Sequence, residues 1–340
     1  MKKILSLILA LVLLVTVFSA CSNSYEGKKK VKIAFFPNLT HSQALLGKAQ
    51  GQFSKSFGIG YEIEWKQFIA GSAEIEAFKA GEVDIGYIGP GPAINGYISM
   101  NGDVQIISGA NNAGAILVTR KDEKLTDVKQ LNGKKIAVPQ YGNTQDLMLR
   151  NLMFQNGLKD VSKGGTVEIL QVNNPDIKTQ FDKGEIDAAL VPEPWGSRLV
   201  KEVGANVMLD YKAVWRDGKY PTTLVIARKE IIDNNPEIIE MFLRAHLELT
   251  DSLMISSDIT SDAINSEIKK LTNSALDKDV LVNSFKRMTP TVDPEKDAFA
   301  DLVKLSVSLG TIKGNPDLSG LFNLNILNKL LKQKGQKQIK

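Results

Sequence analysis

Phe78-Lys79-Ala80-Gly81-Glu82-Val83-Asp84-Ile85 returns 103 residues later as Phe181-Asp182-Lys183-Gly184-Glu185-Ile186-Asp187-Ala188. This internal echo decides the fold. Each copy follows a helical stretch (Ala73 to Ala80, Pro175 to Lys183) and runs into a short apolar strand (Val83 to Ile88, Ile186 to Val191). The glycine in each ends its helix, because a residue without a Cβ enters the left-handed region at least cost.

Working outward, Val31 to Phe36 and Lys135 to Val138 are apolar, β-prone runs, each followed by a polar turn and a helical pattern. Tyr61 to Phe68 and Thr166 to Val172 add one strand apiece, so each half reads strand, helix, strand, helix, strand. That alternation predicts parallel sheets covered on both faces, hence paired α/β lobes. A second echo, Ile116-Leu117-Val118-Thr119-Arg120-Lys121 and Leu224-Val225-Ile226-Ala227-Arg228-Lys229, follows the third strand of each half, where a chain would pass between lobes. With both as a two-strand hinge, residues 31–112 plus 225–340 form lobe 1, residues 113–224 form lobe 2, and ligand is expected in the cleft between them. From Pro236 onward Ile238, Ile239, Phe242, Leu243, His246, Leu247 and Leu249 recur at helical spacing, a structural layer on the first lobe.

The chain opens with Lys2 and Lys3, then a run from Ile4 to Val17 that is apolar apart from Ser6 and Thr16, then Phe18-Ser19-Ala20-Cys21. A bilayer crossing takes about 20 apolar residues, and this run is shorter and ends at small residues, so residues 1–20 read as a cleaved export signal. Cys21 is the only cysteine. Val17-Phe18-Ser19-Ala20-Cys21 resembles the bacterial lipobox, which implies lipidation at Cys21, with residues 21–30 a polar tether to the outer face of the cytoplasmic membrane. The net charge of +4 falls to +2 without Lys2 and Lys3, so no strongly basic field supports nucleic-acid binding. With 43% apolar residues the remainder can bury two cores.

In open parallel sheets ligands sit beyond the carboxyl ends of the strands, where loops lead into helix N-termini. That rule nominates Asn38, Thr40 and His41 after the first strand, Gly71 and Ser72 after the second, and Gly89 and Gly91 after the third. In the second half it nominates Tyr141, Asn143 and Thr144, then Glu193 and Trp195. A helix N-terminus carries unpaired N–H groups and about half a positive charge, so several converging on one cleft hold an anion without any arginine. Sulfonate, nitrate or carboxylate suits such a site. Duller roles stand beside these: helix capping for Ser72, Asn143 and Thr144, helix initiation for His41, burial between lobes for Trp195, an ion pair with Arg198 for Glu193. His246, within a helical run, reads as structural. An amine-bearing or heteroaromatic ligand walled by Glu193, Trp195, Tyr87, Tyr97 and Tyr141 is the alternative.

Phe68-Ile69-Ala70-Gly71-Ser72 with Phe78 to Asp84, then Gly89-Pro90-Gly91-Pro92 and Val191-Pro192-Glu193-Pro194-Trp195, taken in order, resemble the binding proteins for aliphatic sulfonates, taurine and nitrate, a wider family that includes carriers of thiamine-type pyrimidines. The resemblance spans Val31 to about Leu331. It implies a two-lobed periplasmic-binding-protein type II fold that closes on ligand and docks an ABC permease with its ATPase subunit, as a monomer. Glu193-Pro194-Trp195 stands where sulfonate binders of that family often carry Asp-Pro-Trp, closer to the nitrate and bicarbonate branch. The chain has two histidines far apart, no H-E-x-x-H, no G-x-S-x-G and no P-loop, so no catalytic residue, metal or cofactor is expected. A ligand sensor would need a signalling domain or a retained membrane helix, and neither is read in the sequence.

Overall fold

The computed structural model describes residues 27–255, 258–314 and 316–340. The export signal and Cys21 lie outside the described residues. In the first half β1 (Lys29–Phe35) leads through a 3₁₀ turn (Leu39–His41) into α1 (Ser42–Gln50) and α2 (Gln52–Phe57), followed by β2 (Tyr61–Gln67), α3 (Gly71–Lys79), β3 (Ile85–Ile88), α4 (Pro90–Ser99) and β4 (Val104–Ala113). Lys29 and Lys30 already belong to β1, so the tether expected over residues 21–30 ends before them. The second half runs β5 (Ala115–Thr119), β6 (Lys135–Val138), α5 (Thr144–Gln155), β7 (Glu168–Gln171), α6 (Asn174–Lys183), β8 (Ala188–Pro192), α7 (Trp195–Val203), β9 (Asn206–Leu209) and α8 (Tyr211–Val214). The chain then returns as β10 (Pro221–Arg228), α9 (Lys229–Asn234), α10 (Pro236–Ile255), α11 (Asp258–Thr272), α12 (Lys278–Lys286), β11 (Met288–Pro290), α13 (Lys296–Ser308) and α14 (Asn325–Gln333).

Two mixed sheets result. One has the order β11-β4-β10-β3-β1-β2, the other β7-β6-β8-β5-β9. The parallel part of each is the triplet read from the sequence: β1 with β2 and β3, and β6 with β7 and β8. The expectation of parallel sheets needs correction, because β10 pairs antiparallel with β3 and β5 pairs antiparallel with β8. Each sheet thus receives the strand that follows the other half. The chain changes sheet at Gly114 and again between Leu209 and Pro221.

The echoed residues show why this exchange is stable. Asp84 Oδ2 accepts from Lys32 N, and Asp187 Oδ2 accepts from Lys135 N, both at 2.8 Å. The carbonyls of the same aspartates accept from the backbone N–H groups of Arg228 and Arg120, the equivalent positions of the second echo. Gly81 and Gly184 have φ of +72° and +68°, and a Cβ on either would come within 3.3 Å of the Arg228 or Arg120 guanidinium. One local device therefore ends a helix, starts a strand and receives the exchanged strand, twice.

Apolar side chains cover both faces of the first sheet. Phe35, Leu45, Phe53, Tyr87, Phe242 and Leu327 pack on one face, and Ala34, Phe78, Ile88, Ile94, Leu224 and Phe299 on the other. Two smaller clusters cover the second sheet likewise. His246 on α10 bridges the Tyr87 hydroxyl and the Gly109 carbonyl at 2.9 Å each, and burial lowers its pKa to about 4, as befits a neutral structural histidine. No helix among the described residues is long and apolar enough to cross a membrane.

Candidate functional site

The carboxyl ends of the parallel strands of both sheets face each other across a cavity of about 40 Å³. At roughly 10–15 Å³ per enclosed water that is room for a group of a few heavy atoms. Its wall includes the first residues of α3, α4, α5 and α6 and the 3₁₀ turn before α1. Helix N-termini point at it from both halves; α3 and α5 open with residues that keep their backbone N–H groups, whereas prolines at the start of α4 and α6 leave fewer there.

His41 sits on the floor, 2% exposed, its ring stacked on Phe36 with centroids 4.6 Å apart. Its Nδ1 accepts from the Phe36 backbone N–H at 3.3 Å. A backbone amide can only donate, so Nδ1 is bare and the neutral ring carries its proton on Nε2, where no protein acceptor is found among the described residues. Burial lowers the pKa to about 3, so the ring stays neutral at physiological pH.

The amides on the wall are oriented by the same logic. Asn38 Oδ1 accepts from the Trp195 indole N–H at 2.7 Å, Asn143 Oδ1 from Asp146 N at 2.9 Å, and Gln140 Oε1 from Ser72 N at 3.2 Å. Each donor is fixed, so each oxygen is fixed. Asn143 Nδ2 then donates to Gln145 Oε1 at 3.2 Å, which fixes a fourth. The NH2 ends of Asn38 and Gln145 have no acceptor among the described residues. Thr144, 2% exposed, has a hydroxyl with no partner. The wall contains no Asp, Glu, Lys or Arg.

Of the nominated residues, Asn38, Thr40, His41, Gly71, Gly89, Asn143 and Thr144 line this cavity. Five do not. Ser72 neither caps α3 nor lines the cavity; its N–H and hydroxyl pair with Gln140 of the other half. Gly91 serves approach instead, since a Cβ there would stand 2.8 Å from the Gly142 carbonyl. Tyr141 is 52% exposed and turns its hydroxyl to the Ile169 carbonyl. Trp195 clamps Asn38 with its N–H and carries Arg198 over its ring at 5.0 Å, so it joins the halves beside the cavity rather than walling it.

Glu193 is the plainest correction. It is fully buried, and its oxygens accept from Ser197 N, Ser197 Oγ and Ser284 Oγ while Arg287 donates at 3.1 Å; Arg198 pairs with Glu202 instead. Desolvation raises the pKa of Glu193, with these partners opposing. Its charge is answered by the protein and is not offered to a ligand. The sequence places Gln140 and Gln145 in a loop nominated for ligand and Asn174 at a helix start, but does not single out their side chains, which line the wall. It had no signal for Thr222, which reaches the wall because β10 is exchanged.

A family model described as NMT1-like matches residues 24–265. The chain belongs to the NMT1-like family. The taurine-binding periplasmic protein of Escherichia coli is 27% identical over 64% of this chain and 64% of its own length. The putative aliphatic sulfonates-binding protein of Bacillus subtilis is 26% identical over 85% of this chain and 84% of its own. Several curated relatives are matched over less than two thirds of their length, among them putative binding proteins of Brucella at 57%. The fold is that of the nitrate-binding protein NrtA of Synechocystis (TM-score 0.77, 15% identity, 90% of this chain and 89% of that one). It is also that of the aliphatic sulphonate-binding protein SsuA of Escherichia coli (TM-score 0.71, 18% identity, 87% and 92%). Both are periplasmic binding proteins, so the two-lobed architecture expected from the sequence stands.

Proposed function

We propose that this chain is the extracytoplasmic solute-binding component of an ABC importer, capturing a small oxyanion of the sulfonate or nitrate kind and delivering it to a permease with its ATPase. The observation that carries this reading is the character of the wall. The fixed amide oxygens are engaged, and apart from Asn174 Oδ1 the free groups can donate: His41 Nε2–H, the NH2 ends of Asn38 and Gln145, the Thr144 hydroxyl and the helix N-termini. Such a wall favours negative charge without a single cation. The family relationship supports the same class.

Function here is capture and release rather than turnover. Residues 31–112 with 225–340 and residues 113–224 act as two lobes, and ligand favours the closed state because it touches both. The heteroaromatic or amine reading has less support: of its residues Glu193 faces Arg287, the Tyr141 hydroxyl is bonded to the Ile169 carbonyl and the Tyr87 hydroxyl to His246. Lipidation of Cys21 holds the monomer at the outer face of the membrane. Cys21→Ser is expected to release it, and unchanged membrane fractionation would count against the anchor.

A thermal-shift screen of the full chain in detergent tests the ligand class. At 100 times Kd a native-state ligand adds about 2.7 kcal/mol. Shifts are expected with alkanesulfonates or nitrate. A shift confined to pyrimidines would reverse the reading.

A further inference from the structure

The wall that accepts an anion offers almost nothing to a cation. An ammonium needs up to three acceptors, or a carboxylate, once it leaves water. No acidic residue lines the cavity. The three buried carboxylates on the elements around the wall are accounted for. Asp146 accepts from Gly142 N at 2.7 Å and from Arg150 at 2.9 Å. Glu193 is held by two serines and Arg287. Glu74 lies fully buried on α3 with both oxygens unpaired, one of them 2.0 Å from where a Cβ on Gly86 would stand, and burial raises its pKa well above the ordinary carboxylate range, so it is a neutral acid.

Side-chain acceptors are scarce as well. The oxygens of Asn38, Gln140, Asn143 and Gln145 are engaged by donors of the protein. The Thr222 hydroxyl donates to the Ala113 carbonyl. Asn174 Oδ1 is the one amide oxygen on the wall without a partner. Together with the unpartnered Thr144 hydroxyl it leaves only neutral acceptors, which do not replace the hydration shell of an ammonium.

We infer that the anion held in this cavity carries no ammonium group: the site selects short, unsubstituted oxyanions against zwitterionic aminosulfonates of the same length. The inference rests on the oxyanion reading above and narrows it. Binding of a zwitterion would place a positive charge against the N-termini of four helices, whose field opposes it.

Ethanesulfonate and taurine differ only by the terminal ammonium, which makes them the probes. Titrations of the full chain in detergent, followed by calorimetry, are expected to show taurine binding at least 50-fold more weakly than ethanesulfonate. In Asn174→Asp, which puts a carboxylate on the wall, the ratio is expected to move toward taurine by tenfold or more. Taurine binding within tenfold of ethanesulfonate in the unaltered protein overturns the inference while leaving the oxyanion reading intact. If neither sulfonates nor nitrate bind, the oxyanion reading falls and takes this inference with it.

Discussion

The loops that follow β3 and β8 occupy equivalent places in the two halves and do opposite things. Gly89-Pro90-Gly91-Pro92 carries no polar side chain, and its backbone comes close enough to the second half that a Cβ on Gly89 would stand 2.6 Å from Thr144 Oγ1. Pro192-Glu193-Pro194-Trp195 carries a carboxylate, and that carboxylate is drawn back onto α12, where Ser284 and Arg287 neutralise it. The first loop shapes the cavity by what it lacks. The second ties the C-terminal layer to the second half. Position in a repeat is thus a guide to architecture, while the chemistry of a loop depends on which later segment meets it.

The largest expected effect breaks the second loop. Arg287→Ala leaves Glu193 buried beside serines without its cation, and losing one partner of a buried pair costs about 3–5 kcal/mol. Thermal melts should show a clear fall in Tm, with ethanesulfonate affinity of the folded protein nearly unchanged. A tenfold loss of affinity with no loss of stability would show that this loop serves the ligand after all.

The two histidines predict an acid limit. Their folded pKa values, about 3 for His41 and about 4 for His246, lie below the ordinary value of 6.5. Below pH 6.5 the unfolded chain takes up protons that the fold refuses, so stability present above that pH is lost as pH falls toward 4. At pH 5 the loss is about 2 kcal/mol per histidine. Denaturant titrations at pH 7 and pH 5 read it directly, and His246→Gln should remove about half of the difference.

Thr144→Val tests the first loop's side of the cavity. The hydroxyl has no partner in the free protein, so stability should hold or rise, while a bound anion loses a donor worth about 1.5–3 kcal/mol. Calorimetry is expected to show ethanesulfonate binding weakened by roughly 10- to 150-fold. Unchanged affinity would place the anion elsewhere.

The smallest effect contrasts the two buried glutamates. Glu193 has partners, whereas Glu74 has none and stays protonated. A raised folded pKa means that stability present below the ordinary carboxylate value is lost as pH rises above it, because the unfolded chain releases a proton the fold retains. Glu74→Gln removes that loss. Its Tm relative to the unaltered protein should climb between pH 5 and pH 8, and a constant difference would contradict a neutral Glu74.

Much of the fold was legible because one device is written twice in the sequence. Gly81 and Gly184, with Asp84 and Asp187, mark helix end and strand start, and Arg120 and Arg228 mark the exchanged strands. β4 was not legible: Ser108-Gly109-Ala110-Asn111-Asn112 is polar, yet wholly buried, because its side chains bond inward to the Gly109, Val292 and Thr40 carbonyls and to Glu295. β9 is a short edge strand with two exposed residues and leaves little hydrophobic pattern. At the site, the loops before α3 and α5 were legible as helix N-termini. Glu193 and Tyr141 were misplaced because polarity shows that a side chain needs a partner but not that Arg287, 94 positions on, or the Ile169 carbonyl supplies it.

The most direct measurement is a crystal structure of the protein grown with ethanesulfonate. The sulfonate is expected between the halves, its oxygens within hydrogen-bond distance of Thr144 Oγ1 and His41 Nε2, with Glu193 still on Arg287. A sulfonate seated against Glu193 and Trp195, or density absent from the cavity when calorimetry shows binding, would contradict this placement.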